Sequence, residues 1–299
     1  MEPTRHSIPL PNPDKNGRHD LVFYDWGDPL ADHVVVCVHG LTRNARDFDL
    51  LAQALAQRGR RVFTLSMAGR GESAWLENPM DYTYATYIAD CLKLLDNFHL
   101  RQVDWVGTSM GGIIGMAIAS AHPARIRKLV LNDIGTLLRK EALERIYAYV
   151  QSIPTSFADR AEADAYLREV FKPFGINDLP VWEPFVDSSL LPAEGGRVKL
   201  ACDPAILEPV RAETKNFTEI NEINIGNLWE KVLIPTLILR GENSDILDAQ
   251  TVSAMRATNH RAVSRTIPDV GHAPSLMVPE QISLVADWLV SDTNKLAGI

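Results

Sequence analysis

Basic charge, cysteine and long apolar runs are all scarce in this chain of 299 residues. Lysine and arginine total 30 against 38 aspartates and glutamates, a formal net charge of −8. Nucleic-acid-binding domains usually carry a basic footprint, so this balance argues against a nucleic-acid partner. The three cysteines, Cys37, Cys91 and Cys202, cannot all pair within one chain, and none has metal-ligand spacing with a second cysteine or a histidine. Reduced, buried thiols in a cytoplasmic protein are therefore expected, with no disulfide framework and no metal. No run of about 18 apolar residues occurs, so no membrane span is expected. Met1-Glu2-Pro3-Thr4-Arg5-His6-Ser7 has no apolar core of the signal-peptide kind. What remains, 46% hydrophobic and 23% charged residues, is the composition of an ordinary globular protein. Oligomeric state is not legible.

What is present centres on Gly107-Thr108-Ser109-Met110-Gly111-Gly112. An apolar run, Val103-Asp104-Trp105-Val106, precedes it, and a small-residue helix pattern beginning at Ile113 follows. Strand, Gly-x-Ser-x-Gly and helix in that order predict a nucleophile elbow. The turn is tight enough that the residues two before and two after the serine must lack bulk, which Gly107 and Gly111 satisfy. A serine held there exposes its Oγ at the positive end of the helix.

A hydroxyl at neutral pH needs an adjacent base, and the base needs an orienting acid. On this scaffold the chain order is serine, acid, histidine. Leu233 to Arg240 reads as a buried strand running into Gly241-Glu242-Asn243-Ser244-Asp245. Ser264-Arg265-Thr266-Ile267 reads as a strand leading to Val270-Gly271-His272. Both turns emerge at the sheet edge where ligands bind in open α/β folds. The expected triad is Ser109, His272 and Asp245.

Cys37-Val38-His39-Gly40, the serine elbow, Arg240-Gly241-Glu242-Asn243-Ser244-Asp245 and Gly271-His272 together resemble the α/β-hydrolase fold superfamily, most closely its bacterial esterases, enol-lactonases and carbon–carbon bond hydrolases. The resemblance implies a mostly parallel central sheet flanked by helices. It implies an oxyanion hole built from the backbone N–H groups of Leu41 and Met110. Asp133, after the sixth strand, occupies the alternative acid position that the resemblance implies for some members. One departure stands out: Ser66-Met67-Ala68 precedes Gly69-Arg70-Gly71-Glu72-Ser73, where many relatives carry an aspartate.

Strand and helix patterns alternate along the chain: strands at 21–24, 34–38, 61–65 and 126–131, and a helix over 83–98. Pro279 marks the start of a final helix whose core-facing stripe is Ile282, Val285, Ala286 and Leu289. The alternation breaks between Gly135 and Asn227, where helices are expected at 141–151 and 160–171, followed by proline-containing turns. The reading is a helical cap at 135–227, inserted after strand 6, over a core formed by 1–134 and 228–299. His39, Arg43, Phe174, Trp182 and Phe185 are the candidate substrate-binding residues. Asp248 reads as a helix N-cap.

These features predict a serine carboxylesterase acting on small-molecule esters, extending to lactones or polyester oligomers, with no cofactor. The alternatives are an enol-lactonase or a carbon–carbon hydrolase of aromatic breakdown, and a non-catalytic ligand receptor on the same fold. Carbon–carbon hydrolysis of dianionic substrates would need a cationic pocket, for which Arg43 and Lys172 are the candidates.

Overall fold

The computed structural model describes residues 1–13, 16–213 and 222–292. Its strands are β1 (Thr4–Pro11), β2 (Arg18–Trp26), β3 (Val34–Val38), β4 (Arg61–Ser66), β5 (Val103–Thr108), β6 (Ile126–Asn132), β7 (Leu137–Arg139), β8 (Leu190–Pro192), β9 (Val198–Leu200), β10 (Glu222–Asn224), β11 (Thr236–Gly241) and β12 (Ala262–Ile267). Eight of them form the central sheet in the order β1-β2-β4-β3-β5-β6-β11-β12. The pairs β1/β2 and β2/β4 are antiparallel, and every other pairing in this sheet is parallel.

The helices are α1 (Asp49–Gln57), α2 (Tyr84–Asn97), α3 (Met110–Ala121), α4 (Lys140–Gln151), α5 (Arg160–Val170), α6 (Leu179–Ser188), α7 (Glu208–Glu213), α8 (Gly226–Trp229), α9 (Ala249–Thr258) and α10 (Pro279–Val290). None is long and apolar enough to cross a membrane. Both faces of the sheet are covered, which is why β3 is apolar at every position. Val34, Val36 and Val38 join the core layer that holds Leu94, Leu95 and Met116, while Val35 and Cys37 join the layer of Leu51, Leu55 and Leu289. Successive β3 side chains thus bury on opposite sides, as the pleat requires.

β1 has no counterpart in the sequence reading. Pro9 and Pro11 weaken its strand pattern, yet β1 pairs with β2 alone, and an edge strand tolerates proline. The predicted helices over 141–151 and 160–171 correspond to α4 and α5. Between β6 and β11 the chain adds short helices and the two small sheets β7/β10 and β8/β9. Residues 214–221 of the region expected to be a cap lie outside the described residues. Asp248 caps α9, its carboxylate accepting the Thr251 N–H. The three cysteines are buried and unpaired.

Candidate active site

Ser109 joins β5 to α3 with φ 50° and ψ −110°, a conformation that costs energy for a residue with a Cβ. The two glycines around it are sterically enforced. A Cβ on Gly107 would stand 2.3 Å from the Gly111 backbone, and one on Gly111 would stand 2.0 Å from the Val38 carbonyl oxygen. Strand β5, helix α3 and the end of β3 therefore converge on the serine at distances only glycine permits. The Gly111 N–H donates to the His39 carbonyl at 3.2 Å, and Trp105 Nε1 donates to the Gly111 carbonyl at 3.0 Å, fixing the first turn of α3.

His272 lies in the loop after β12, with Nε2 3.0 Å from Ser109 Oγ. Its Nδ1 stands 2.8 Å from Asp133 Oδ2. A carboxylate only accepts, so Nδ1 carries the proton and Nε2 is free to accept from the serine hydroxyl. The loop is held from two sides. The buried Asn132 side chain donates to the Pro274 carbonyl and to Thr108 Oγ1, while the Gly271 N–H donates to the Pro173 carbonyl of the insertion.

The expectation for Asp245 is corrected here. Its carboxylate pairs with the Arg145 guanidinium of α4 rather than with His272, and its side chain is 47% exposed. Asp133, just past β6 with φ 55°, is wholly buried and takes the position beside the imidazole. The turn expected to supply the acid instead supplies ligands to it. The Gly241 N–H donates to Asp133 Oδ1 at 2.8 Å, and Ser244 Oγ donates to Oδ2 at 2.6 Å. With His272, three donors converge on one buried carboxylate, which compensates its desolvation.

Leu41 borders the same cavity as Ser109 and Met110 follows Ser109 in the chain, and among the described residues neither backbone N–H donates to a protein acceptor. Met110 opens α3, so no carbonyl lies one turn back for it. Arg70, which the sequence reading passed over inside its Gly-Arg-Gly run, joins both residues. Fully buried, its Nε donates to the Leu41 carbonyl at 2.8 Å, and its Nη2 lies 3.6 Å from Met110 Sδ. Its Nη1 donates to the Ala68 carbonyl and to the Tyr87 hydroxyl.

His39 is not a substrate ligand in this geometry. It is fully buried, with Nδ1 2.7 Å from the Gly40 carbonyl and Nε2 accepting the Met67 N–H at 3.0 Å. Burial lowers its pKa to about 3, aided by the nearby Arg70 and Arg43 charges and opposed by the Gly40 bond. A neutral His39 thus braces the turn that presents Leu41.

Arg43 does line the cavity over Ser109, but its guanidinium is occupied. It makes a two-point pair with Asp47, donates to Ser189 Oγ, and stacks 3.8 Å from the Phe185 ring centroid. Phe185 and Trp182 are therefore corrected as substrate contacts. Phe185 backs Arg43, Trp182 stacks on Phe185 and donates to Asp164, and neither borders the Ser109 cavity. Phe174 does border it. Lys172 is exposed and outside it.

That cavity measures about 280 Å³ and joins Ser109, His272, Gly40, Leu41 and Thr42 to a wall from the segment between β6 and β11: Arg145, Ile146, Tyr149, Val170, Phe171 and Phe174. The Tyr149 hydroxyl bonds Thr42 Oγ1 at 3.2 Å, and burial raises the pKa of this phenol. A larger cavity of about 530 Å³ lies between α6 and the region around Arg46 and Glu72. It touches neither Ser109 nor His272, so chemistry rather than volume marks the smaller one as the candidate site.

The α/β-hydrolase fold family matches residues 33–166 of the chain. A 3-hydroxybutyrate-oligomer hydrolase from Cupriavidus necator is 38% identical over 275 residues, 91% of this chain and 93% of that protein. An sn-1-specific diacylglycerol lipase from Danio rerio is 28% identical over 83% of this chain and 76% of its own length. Among solved structures, an α/β hydrolase from Novosphingobium aromaticivorans superimposes with a TM-score of 0.82 at 34% identity, covering 97% of this chain and 99% of that one. With the sheet order and the serine elbow in agreement, the chain is a hydrolase and belongs to the α/β-hydrolase fold family.

Proposed function

We propose that this protein is a serine hydrolase of carboxylic esters, acting on short oligomers of a hydroxyacid through an acyl-enzyme on Ser109. The observation that carries this reading is the continuous chain of hydrogen bonds from Ser109 Oγ through His272 to Asp133. In the first half-reaction His272 Nε2 takes the hydroxyl proton as Ser109 Oγ attacks the ester carbonyl. Asp133 holds the imidazole tautomer and stabilises the imidazolium without itself taking the proton. The oxyanion that forms is met by the Leu41 and Met110 N–H groups. Such donors, fixed before the reaction, are worth about 2.7–4 kcal/mol each in other hydrolases. The alcohol leaves with the proton from His272, and water repeats the sequence on the acyl-enzyme. No step calls for a metal or an organic cofactor.

The segment 135–227 is read as a cap that excludes water and shapes the acyl pocket. The substrate class is supported by the similarity to the 3-hydroxybutyrate-oligomer hydrolase over almost the full length of both chains. The carbon–carbon reading finds less support: Asp47 already pairs Arg43 and Lys172 lies outside the cavity, which leaves Arg145 alone to meet a dianionic substrate.

The test is a parallel screen of purified protein against p-nitrophenyl esters, linear 3-hydroxybutyrate dimer and trimer, a lactone, and a vinylogous diketone. Turnover of the esters and oligomers is expected. Cleavage of the diketone with no ester turnover would overturn the proposal.

A further inference from the structure

At the mouth of the Ser109 cavity stands an ion pair that the acyl-transfer steps do not use. Arg145 projects from α4 beside Ile146 and Tyr149, and it borders the cavity with them. Its Nε and Nη2 meet the two carboxylate oxygens of Asp245, with Nη2 at 2.9 Å from Oδ1. The two side chains are 49% and 47% exposed. The other arginine bordering the cavity, Arg43, is buried, paired with Asp47 and stacked on Phe185, and has no exposed face to offer a ligand. Arg145 is therefore the cation at this cavity whose partner is both exposed and exchangeable.

We infer that Arg145 recognises a carboxylate on the substrate, with Asp245 as its resting counter-ion. The substrates it selects are esters bearing a free acid end: linear hydroxyacid oligomers cut close to their terminal carboxylate. This inference rests on the ester-hydrolase reading of Ser109. Guanidinium and carboxylate match as planar forks, so an incoming substrate acid can take over the two-point geometry that Asp245 holds at rest. Exchanging one carboxylate for another leaves the Arg145 charge paired throughout. A solvent-exposed pair contributes little to stability, so its release opposes binding only weakly. Asp245 is thus given a role by the same contact that removes it from His272. The competing account is that the pair merely struts α4 against the turn after β11. A strut would affect all substrates alike.

The experiment compares kcat/KM for linear 3-hydroxybutyrate dimer with that for its methyl ester, in wild type, Arg145→Gln, Arg145→Lys and Asp245→Asn. The ratio of acid to methyl ester should fall roughly tenfold in Arg145→Gln, chiefly through KM, as expected when a charge-assisted contact is lost. Arg145→Lys should restore part of it, because the charge returns without the fork. Asp245→Asn should raise the ratio by removing the competing carboxylate. In the wild type, added salt should lower the ratio, since exposed charges are screened. An unchanged ratio in Arg145→Gln and Asp245→Asn, with acid and methyl ester affected equally, would overturn the inference and leave the ester reading standing. A wild type that cleaves neither compound would overturn the ester reading itself, and the inference with it.

Discussion

Asp133 Oδ2 lies 2.8 Å from His272 Nδ1, although the two residues are 139 positions apart in the chain. The carboxylate reaches the imidazole from the end of β6, next to the strand that carries Ser109. The three side chains proposed as acid, base and nucleophile thus share one edge of the sheet. Gly241, at the end of the neighbouring strand β11, and Ser244, in the turn after it, hold this carboxylate.

That placement separates two aspartates. Asp133→Asn should lower kcat by about 10⁴, the loss seen when the corresponding acid of a serine protease becomes an amide and the histidine adopts the wrong tautomer. Asp245→Asn should affect kcat far less, because its partner is Arg145 rather than His272. Steady-state kinetics on a p-nitrophenyl ester would measure both. A larger loss in Asp245→Asn would mean that the acid comes from the turn after β11.

The two aspartates also mark what a sequence can disclose. The close approach at Gly107 and Gly111 and the contact between Ser109 and His272 were legible, because backbone sterics and hydroxyl activation leave few residue types for those places. Which acid faces His272 was not, because Asp133 and Asp245 both follow parallel strands on the same edge. The choice depends on a contact with Arg145, 100 residues from Asp245. The same limit applies to the pocket. The aromatic residues of the insertion were visible as a group, but Phe174 borders the cavity while Phe185 backs Arg43 and Trp182 stacks on Phe185. Composition cannot sort residues by what lies behind them. Arg70 was missed for a related reason, since an arginine in a glycine-rich turn reads as exposed, whereas here it is fully buried.

Chain-length preference should follow that sorting. Phe174→Ala enlarges the cavity, so kcat/KM for longer acyl groups should rise relative to acetate. Each methylene accommodated is worth roughly 1–3 kcal/mol, or 10–200-fold. Trp182→Ala should reduce stability and change the short-to-long ratio little, because its ring packs against Phe185. A p-nitrophenyl ester series from acetate to decanoate, with thermal melts, would read both effects. The opposite assignment, with Trp182→Ala shifting the ratio and Phe174→Ala leaving it fixed, would contradict the cavity described here.

His39 makes stability depend on acid. Its folded-state pKa is lowered to about 3 from an ordinary 6.5, mainly by burial. Between those values the unfolded chain binds a proton that the folded chain refuses. The stabilising contribution is fully present above pH 6.5 and is lost progressively as pH falls toward 3. One proton corresponds to a slope of about 1.4 kcal/mol per pH unit. Urea unfolding between pH 6 and pH 4 should show that slope reduced by one proton in His39→Asn. An unchanged slope would mean that His39 is protonated in the folded protein.

The central claim is that Ser109 is the nucleophile of a hydrogen-bonded relay through His272. Its most direct test is labelling with a fluorophosphonate, followed by intact-protein mass spectrometry and peptide mapping. A single adduct on Ser109 is predicted in the wild type. No adduct should form in Ser109→Ala, and labelling should be strongly slowed in His272→Ala. In parallel, ester turnover by Ser109→Ala should fall by about 10⁶, as in a serine protease stripped of its nucleophile. An adduct on another residue, or Ser109→Ala turnover within tenfold of wild type with unchanged circular dichroism, would contradict the account.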